Sequence, residues 1–239
     1  MAARKWIDTG SEQLGESALW PTAAIVAAAG LYADLPARFI VGHAAGLYSV
    51  ARWVVPALTL LLLLALLVTA PGGRLVRSLD LTGHRVHLTR RVLALAMIGL
   101  VSAANAASIV WLVHLLVNGA SANASTLLRA AVHMWSVNVL LFALWFWQLD
   151  GGGPAARPTC APHRRDFLFP QQSDPALAGA SWRPLFLDYL YVSFTNAAAF
   201  SPTDTMPLSR WAKMLMLVES AVSLTLGVMV VARAVNILR

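Results

Sequence analysis

Residues 185–236 read LFLDYLYVSFTNAAAFSPTDTMPLSRWAKMLMLVESAVSLTLGVMVVARAVN. A short helix-forming segment carries Asp188, Tyr189, Tyr191, Ser193, Thr195 and Asn196. It runs into a breaker-rich turn, Ser201-Pro202-Thr203-Asp204-Thr205-Met206-Pro207, and a long apolar helix follows. Half-helix, turn and full helix is an arrangement that brings irregular, polar backbone to membrane depth. Such backbone is tolerated in a bilayer only where it is buried in protein or lines a cavity. The stretch is therefore the first place to look for a functional site.

The rest of the chain supports a membrane setting. Of its 239 residues, 58% are apolar and only 12% charged, with mean hydropathy +0.65. Soluble domains carry about 25% charged residues. The net charge of +7 reads as orientation charge in loops, so a nucleic-acid partner is not expected. Cys160 is the only cysteine, which excludes an intrachain disulfide. Asp8, Glu12 and Glu16 precede the first apolar run. A signal peptide would place basic residues there, so residues 18–35 are read as a first spanning helix.

A span needs about 20 mostly apolar residues. Residues 52–70, 92–117 and 127–149 meet that need, 18–35 does so marginally, and 208–236 closes the chain. Residues 36–51 are mixed and contain Gly42-xxx-Gly46, a weak helix-packing signal. Residues 150–184 form a Gly/Pro-rich loop opening Asp150-Gly151-Gly152-Gly153-Pro154, within which Asp166-Phe167-Leu168-Phe169-Pro170 is expected to dock on the bundle. The expected fold class is all-α: a polytopic transmembrane bundle of five or six spans, with a half-helix or re-entrant segment before the last helix. The expected regions are a four-span part at 1–149, a cytoplasmic loop at 150–184, and a pore-like half-helix, turn and helix at 185–239.

Loop charge sets the orientation. With the N-terminus in the cytoplasm, 13 of the 18 Lys and Arg residues lie inside, whether residues 185–200 dip or span. Sixteen residues are short for a span, and Asp188 is costly in lipid, which favours a dip or a protein-buried short helix.

Ionisable residues at membrane depth are functional candidates by default. The candidate ion- or solute-binding residues are Asp188, Thr195, Asn196, Thr203, Asp204 and Glu219. Glu219 lies about ten residues into the last helix, with Ser220 and Ser223 beside it. The acids have plainer readings: for Glu219 and Asp188 a buried carboxylate hydrogen-bonded to Ser, Tyr or Asn or paired with Arg, and for Asp204 a turn cap. His114 and His133 could ligate a haem or metal. They lack any supporting ligand, so packing is the reading and no cofactor is expected. Asn105 and Asn138 read as interhelical polar contacts, and many of the nine tryptophans as interfacial anchors. No Gly-rich phosphate loop, HExxH or GxSxG motif is present, and the chain is not expected to be an enzyme.

Phe142-Ala143-Leu144-Trp145, Phe169-Pro170, the run Asp188-Tyr189-Leu190-Tyr191-Val192-Ser193-Phe194-Thr195, Thr203-Asp204 and Arg233-Ala234-Val235-Asn236 form a pattern over residues 130–238. It resembles an uncharacterised family of bacterial multi-spanning membrane proteins, a domain of unknown function. The resemblance implies an inner-membrane location and no known activity. More remotely, Asp204-Thr205-Met206-Pro207 and the helix after it resemble the pore domain of potassium-channel-like cation channels. The filter pattern departs. Its glycines are replaced by Ser201 and Thr203, its tyrosine by Pro202, and its threonine and valine by Ala199 and Phe200. A carbonyl-lined potassium filter depends on backbone that glycine permits, so none is expected here. The expected function is passage or binding of a small ion or solute at the half-helix, in a homo-oligomer. The alternative is a non-transporting scaffold or accessory subunit whose half-helix is packed shut.

Overall fold

The computed structural model describes residues 19–36, 39–40, 48–68, 84–118, 123–154, 156–174, 176, 179, 182–199 and 204–237. Thr203, most of the basic loop 71–91, and the Gly42-xxx-Gly46 motif lie outside the described residues. The described residues are mostly helical. In chain order the helices are α1 (Leu19–Ala33), α2 (Tyr48–Val68), α3 (His84–Val117), α4 (Ala124–Leu149), the one-turn α5 (Pro170–Ser173), α6 (Phe186–Ala199) and α7 (Arg210–Ile237).

Among the described residues, three helical stretches are long and apolar enough to cross a membrane: Arg91–Val117, Ser125–Gly152 and Arg210–Met229. They coincide with three of the expected spans. At about 1.5 Å per residue, the 28 residues of α7 reach past the roughly 30 Å of a hydrocarbon core. The 15 residues of α1 and the apolar part of α2 at Arg52–Leu61 are shorter. Pro21 sits in the first turn of α1, where its missing N–H has no intrahelical partner to lose.

Residues 24–141 and 221–239 form one compact unit. Its core is apolar: Tyr32, Leu35, Phe39 and Ile40 pack with Ile109 and Leu112 of α3, Met134 of α4, and Leu226 of α7. Single polar contacts link the helices. Asn105 Nδ2 donates to the Met134 carbonyl at 3.3 Å, and Asn138 Nδ2 to Ser223 Oγ at 3.5 Å. Arg52 Nε donates to the Ala33 carbonyl at 2.8 Å. A cation there satisfies one of the acceptors that every helix end leaves open.

Residues 142–220 belong to the second unit. The described residues of the Gly/Pro-rich stretch within it form short 3₁₀ turns, a two-residue strand and a one-turn helix. Gly151, Gly152 and Gly153 all have positive φ, at 59°, 88° and 97°. Three consecutive left-handed residues turn the chain sharply at the end of α4, a path only glycine takes without strain. A β-carbon on Gly152 would stand 3.2 Å from that of Ala156, so close packing adds to the backbone demand. Two-residue strands then form an antiparallel ladder, β1 (Phe167–Leu168) with β2 (Met206–Pro207), with Phe167 opposite Pro207. The Leu208 N–H extends it by donating to the Asp166 carbonyl at 2.7 Å.

An aromatic cluster fills this unit. Phe146, Phe167, Phe169 and Tyr189 are buried with Val192, Ala212 and Met216. Phe167 meets Phe146 at 5.2 Å and Tyr189 edge-on at 6.2 Å; Phe169 meets Tyr189 edge-on at 5.4 Å. Each tilted or edge-on pair contributes about 0.5–1.5 kcal/mol beyond the area it buries. Burial of Phe167 in this cluster anchors the 150–184 stretch against α4, α6 and α7.

Candidate functional site

The site is built where α6 meets α7. Ser193 and Asn196 are three residues apart on α6 and so share one face. Met216, Glu219 and Ser220 lie on the facing stripe of α7. Glu219 is wholly buried, at 0% exposure. The Ser193 hydroxyl donates to Glu219 Oε1, and Asn196 Nδ2 donates to Oε2 at 2.7 Å. The same amide nitrogen reaches the Met216 carbonyl at 2.9 Å, which occupies its second hydrogen. Asn196 Oδ1 accepts from the Ser220 hydroxyl at 3.1 Å. The donor side of the carboxamide is thereby aimed at the carboxyl group, and Asn196 connects both helices.

Every partner of the Glu219 carboxyl in this network is neutral. Among the described residues, no ion pair involves Glu219. Burying a bare carboxylate is expensive, and neutral donors do not cancel its charge. Two occupants remove that cost. A proton on the carboxyl neutralises it in place. A small hard cation could instead be held by oxygen atoms: the carboxylate, the Ser193 and Ser220 hydroxyls, and the Met216 carbonyl. Asn196 would have to turn its Nδ2 away to admit that cation.

The structure brings together only part of the expected set. Asn196 and Glu219 converge, and Ser193 and Ser220 complete the group. Asp188 stands at the entrance of α6, where Oδ2 accepts the Leu185 N–H at 2.7 Å. It caps the helix start, where a negative charge also suits the helix dipole. The Thr195 hydroxyl folds back on its own helix, to the carbonyls of Tyr191 at 2.8 Å and Val192 at 3.0 Å. Asp204 is exposed.

A second polar cluster, centred on Asp150, is not signalled by the sequence. Asp150 is 1% and Arg157 7% exposed. Asp150 Oδ1 accepts the N–H groups of Asp166 at 2.8 Å and Phe167 at 3.3 Å. Oδ2 accepts the Tyr189 hydroxyl at 2.5 Å and lies 3.6 Å from Arg157 Nε. The Arg157 guanidinium rests 4.7 Å over the Tyr189 ring and donates to the carbonyls of Pro184 and Trp147. Unlike Glu219, this carboxylate has a cation beside it and a full set of donors. That is the arrangement a buried charge needs in a purely structural role.

The two histidines of the haem alternative have partners of their own. His133 Nε2 is 2.9 Å from Asp34 Oδ2, and its Nδ1 is 2.7 Å from the Arg129 carbonyl. His114 stacks on Trp111 at 5.5 Å. Among the described residues, no group of three or more His, Cys, Asp or Glu has the proximity needed to hold a metal ion. No family model, curated protein or solved structure matches the chain.

Proposed function

We propose that the protein is a multi-spanning membrane protein in which Glu219 takes up and releases a proton or a small cation during passage along the α6–α7 seam. One observation carries this reading: a fully buried carboxyl in an apolar helix, held only by neutral donors. A group kept solely for packing is more economically apolar, because the desolvation of a charge is a standing cost. The half-helix supplies the rest. Its polar face offers the Ser193 hydroxyl and the Asn196 amide to α7, close to the C-terminal end of α6.

The reading includes five or six spans, a bacterial inner membrane with the N-terminus in the cytoplasm, and a homo-oligomer. The distribution of Lys and Arg supports the orientation. Selectivity is assigned to side chains rather than to a carbonyl filter, because Phe200-Ser201-Pro202-Thr203 contains no glycine.

A second reading has its own support. Glu219 has zero exposure and both oxygens engaged, which suits a seam packed shut in a scaffold or accessory subunit. Purified protein in liposomes separates the two. Proton, Na⁺ and K⁺ gradients are imposed and their dissipation followed. Protein-dependent flux of at least one ion, without preference for K⁺, is expected. Liposomes as tight as protein-free controls for all three ions would favour the scaffold.

A further inference from the structure

Away from the Glu219 site, a cleft of about 860 Å³ opens between the turn after α4 and the segment leading into α7. Gly151 and Gly152 form one wall, and Leu208 and Ser209 the other. The candidate span of α4 ends at Gly152 and that of α7 begins at Arg210. On the spanning reading proposed above, the cleft lies where these two helices reach the same membrane–water boundary.

Its lining is basic. His163, Arg164 and Arg165 contribute to it, and the acidic residue in the lining is Asp166. That carboxylate is committed elsewhere: Oδ1 accepts the Trp211 indole N–H at 2.7 Å and Oδ2 the Gly151 N–H at 3.1 Å. It holds the two walls together and forms no ion pair with the arginines, so its charge offsets only part of the positive charge of His163, Arg164 and Arg165 when the histidine is protonated. Among the described residues, no ion pair involves His163, Arg164 or Arg165. Arg165 Nε is buried and has no hydrogen-bond partner. A buried guanidinium donor without an acceptor is an unmet demand.

We propose that this cleft binds a phosphate group, with Arg164 and Arg165 as its ligands. Guanidinium groups match phosphate oxygens in a bidentate fork. The volume falls in the range of pockets that enclose small organic molecules, so the phosphate can carry a substituent. Two sources present the same chemistry at this level: the headgroup of an anionic phospholipid and a soluble phosphate. Basic pockets at the ends of spans are suited to anionic headgroups.

Cys160 lies in the lining and is the only thiol of the chain, so the protein carries its own reporter. Full-length protein in neutral detergent is treated with an uncharged maleimide, and the labelling rate is followed alone, with inorganic phosphate, with phosphatidylglycerol, and with phosphatidylcholine. Thermal stability is measured on the same samples. Phosphatidylglycerol is expected to slow labelling at least threefold and to raise the melting temperature, with phosphatidylcholine doing neither. Protection by inorganic phosphate as well would assign a soluble phosphate source; protection by phosphatidylglycerol alone would assign the lipid headgroup. Arg164→Gln, at an exposed position, and the Arg164→Gln/Arg165→Gln pair should lose protection in steps while still melting cooperatively. Absence of both protection and stabilisation with either phosphate source overturns the proposal. So does equal protection by phosphatidylcholine, or full protection in a folded double variant.

Discussion

The Tyr189 hydroxyl donates to Asp150 Oδ2 at 2.5 Å across 39 positions of sequence. This single contact joins the half-helix to the turn that ends α4, while the other carboxylate oxygen holds the backbone entering β1. The Arg157 guanidinium closes the group from above the ring. A stretch rich in glycine and proline is thus pinned at its start by one buried acid.

Asp150→Ala is expected to be the most damaging substitution in this stretch. It leaves Arg157 buried beside nothing negative, at a cost of about 3–5 kcal/mol. Tyr189→Phe keeps the ring under Arg157 and removes one hydrogen bond to a charged group, costing about 1.5–3 kcal/mol. Thermal unfolding of the purified protein in detergent checks both. Asp150→Ala unfolding at the wild-type temperature would show that the cluster does not hold the fold.

Much of this architecture could be read from sequence, and the parts that could not share a cause. The three candidate spans stood out because a bilayer demands long apolar runs. Glu219 stood out because an acid interrupts one of them. Asn196 followed from its place in the half-helix. Asp150 was hidden. Its partners Arg157, Asp166 and Tyr189 lie 7, 16 and 39 residues away, and a polar loop has the same composition whether solvated or folded. β1 and β2 are two residues each, too short for any alternation to register. Asp188 was visible as an acid in a half-helix, but its capping role depends on Leu185, which is not a capping residue type.

The stretch 150–184 should face the cytoplasm. Cys160 is half-exposed and alone, so a membrane-impermeant maleimide should label it in broken cells and leave it unlabelled in intact ones. Efficient labelling of intact cells would invert the proposed orientation and with it the side on which the phosphate cleft opens.

His114 and His133 should carry no haem. Both ring nitrogens of His133 already face oxygen atoms, and His114 is stacked on Trp111 and hydrogen-bonded to Asn118. The purified protein should show no Soret absorbance. A haem spectrum lost in His114→Ala or His133→Ala would replace the present account with a redox function.

Asn196→Leu should separate positioning from packing. It preserves approximate volume but removes the donor to Glu219 and leaves the Met216 carbonyl without that partner. A stability loss of about 1–3 kcal/mol is expected, together with a flux defect larger than that of Ser193→Ala. Equal flux in wild type and Asn196→Leu would show that the amide does not position the carboxyl for transport.

The most direct test is ion flux in proteoliposomes containing wild-type protein or Glu219→Gln at equal protein content and matched thermal stability. Glutamine keeps the shape of the side chain but neither binds and releases a proton nor neutralises a cation. Flux at or near the protein-free background in Glu219→Gln, against clear flux in wild type, is the predicted result. Wild-type flux that Glu219→Gln leaves unchanged would contradict the assignment of Glu219 as the carrying group.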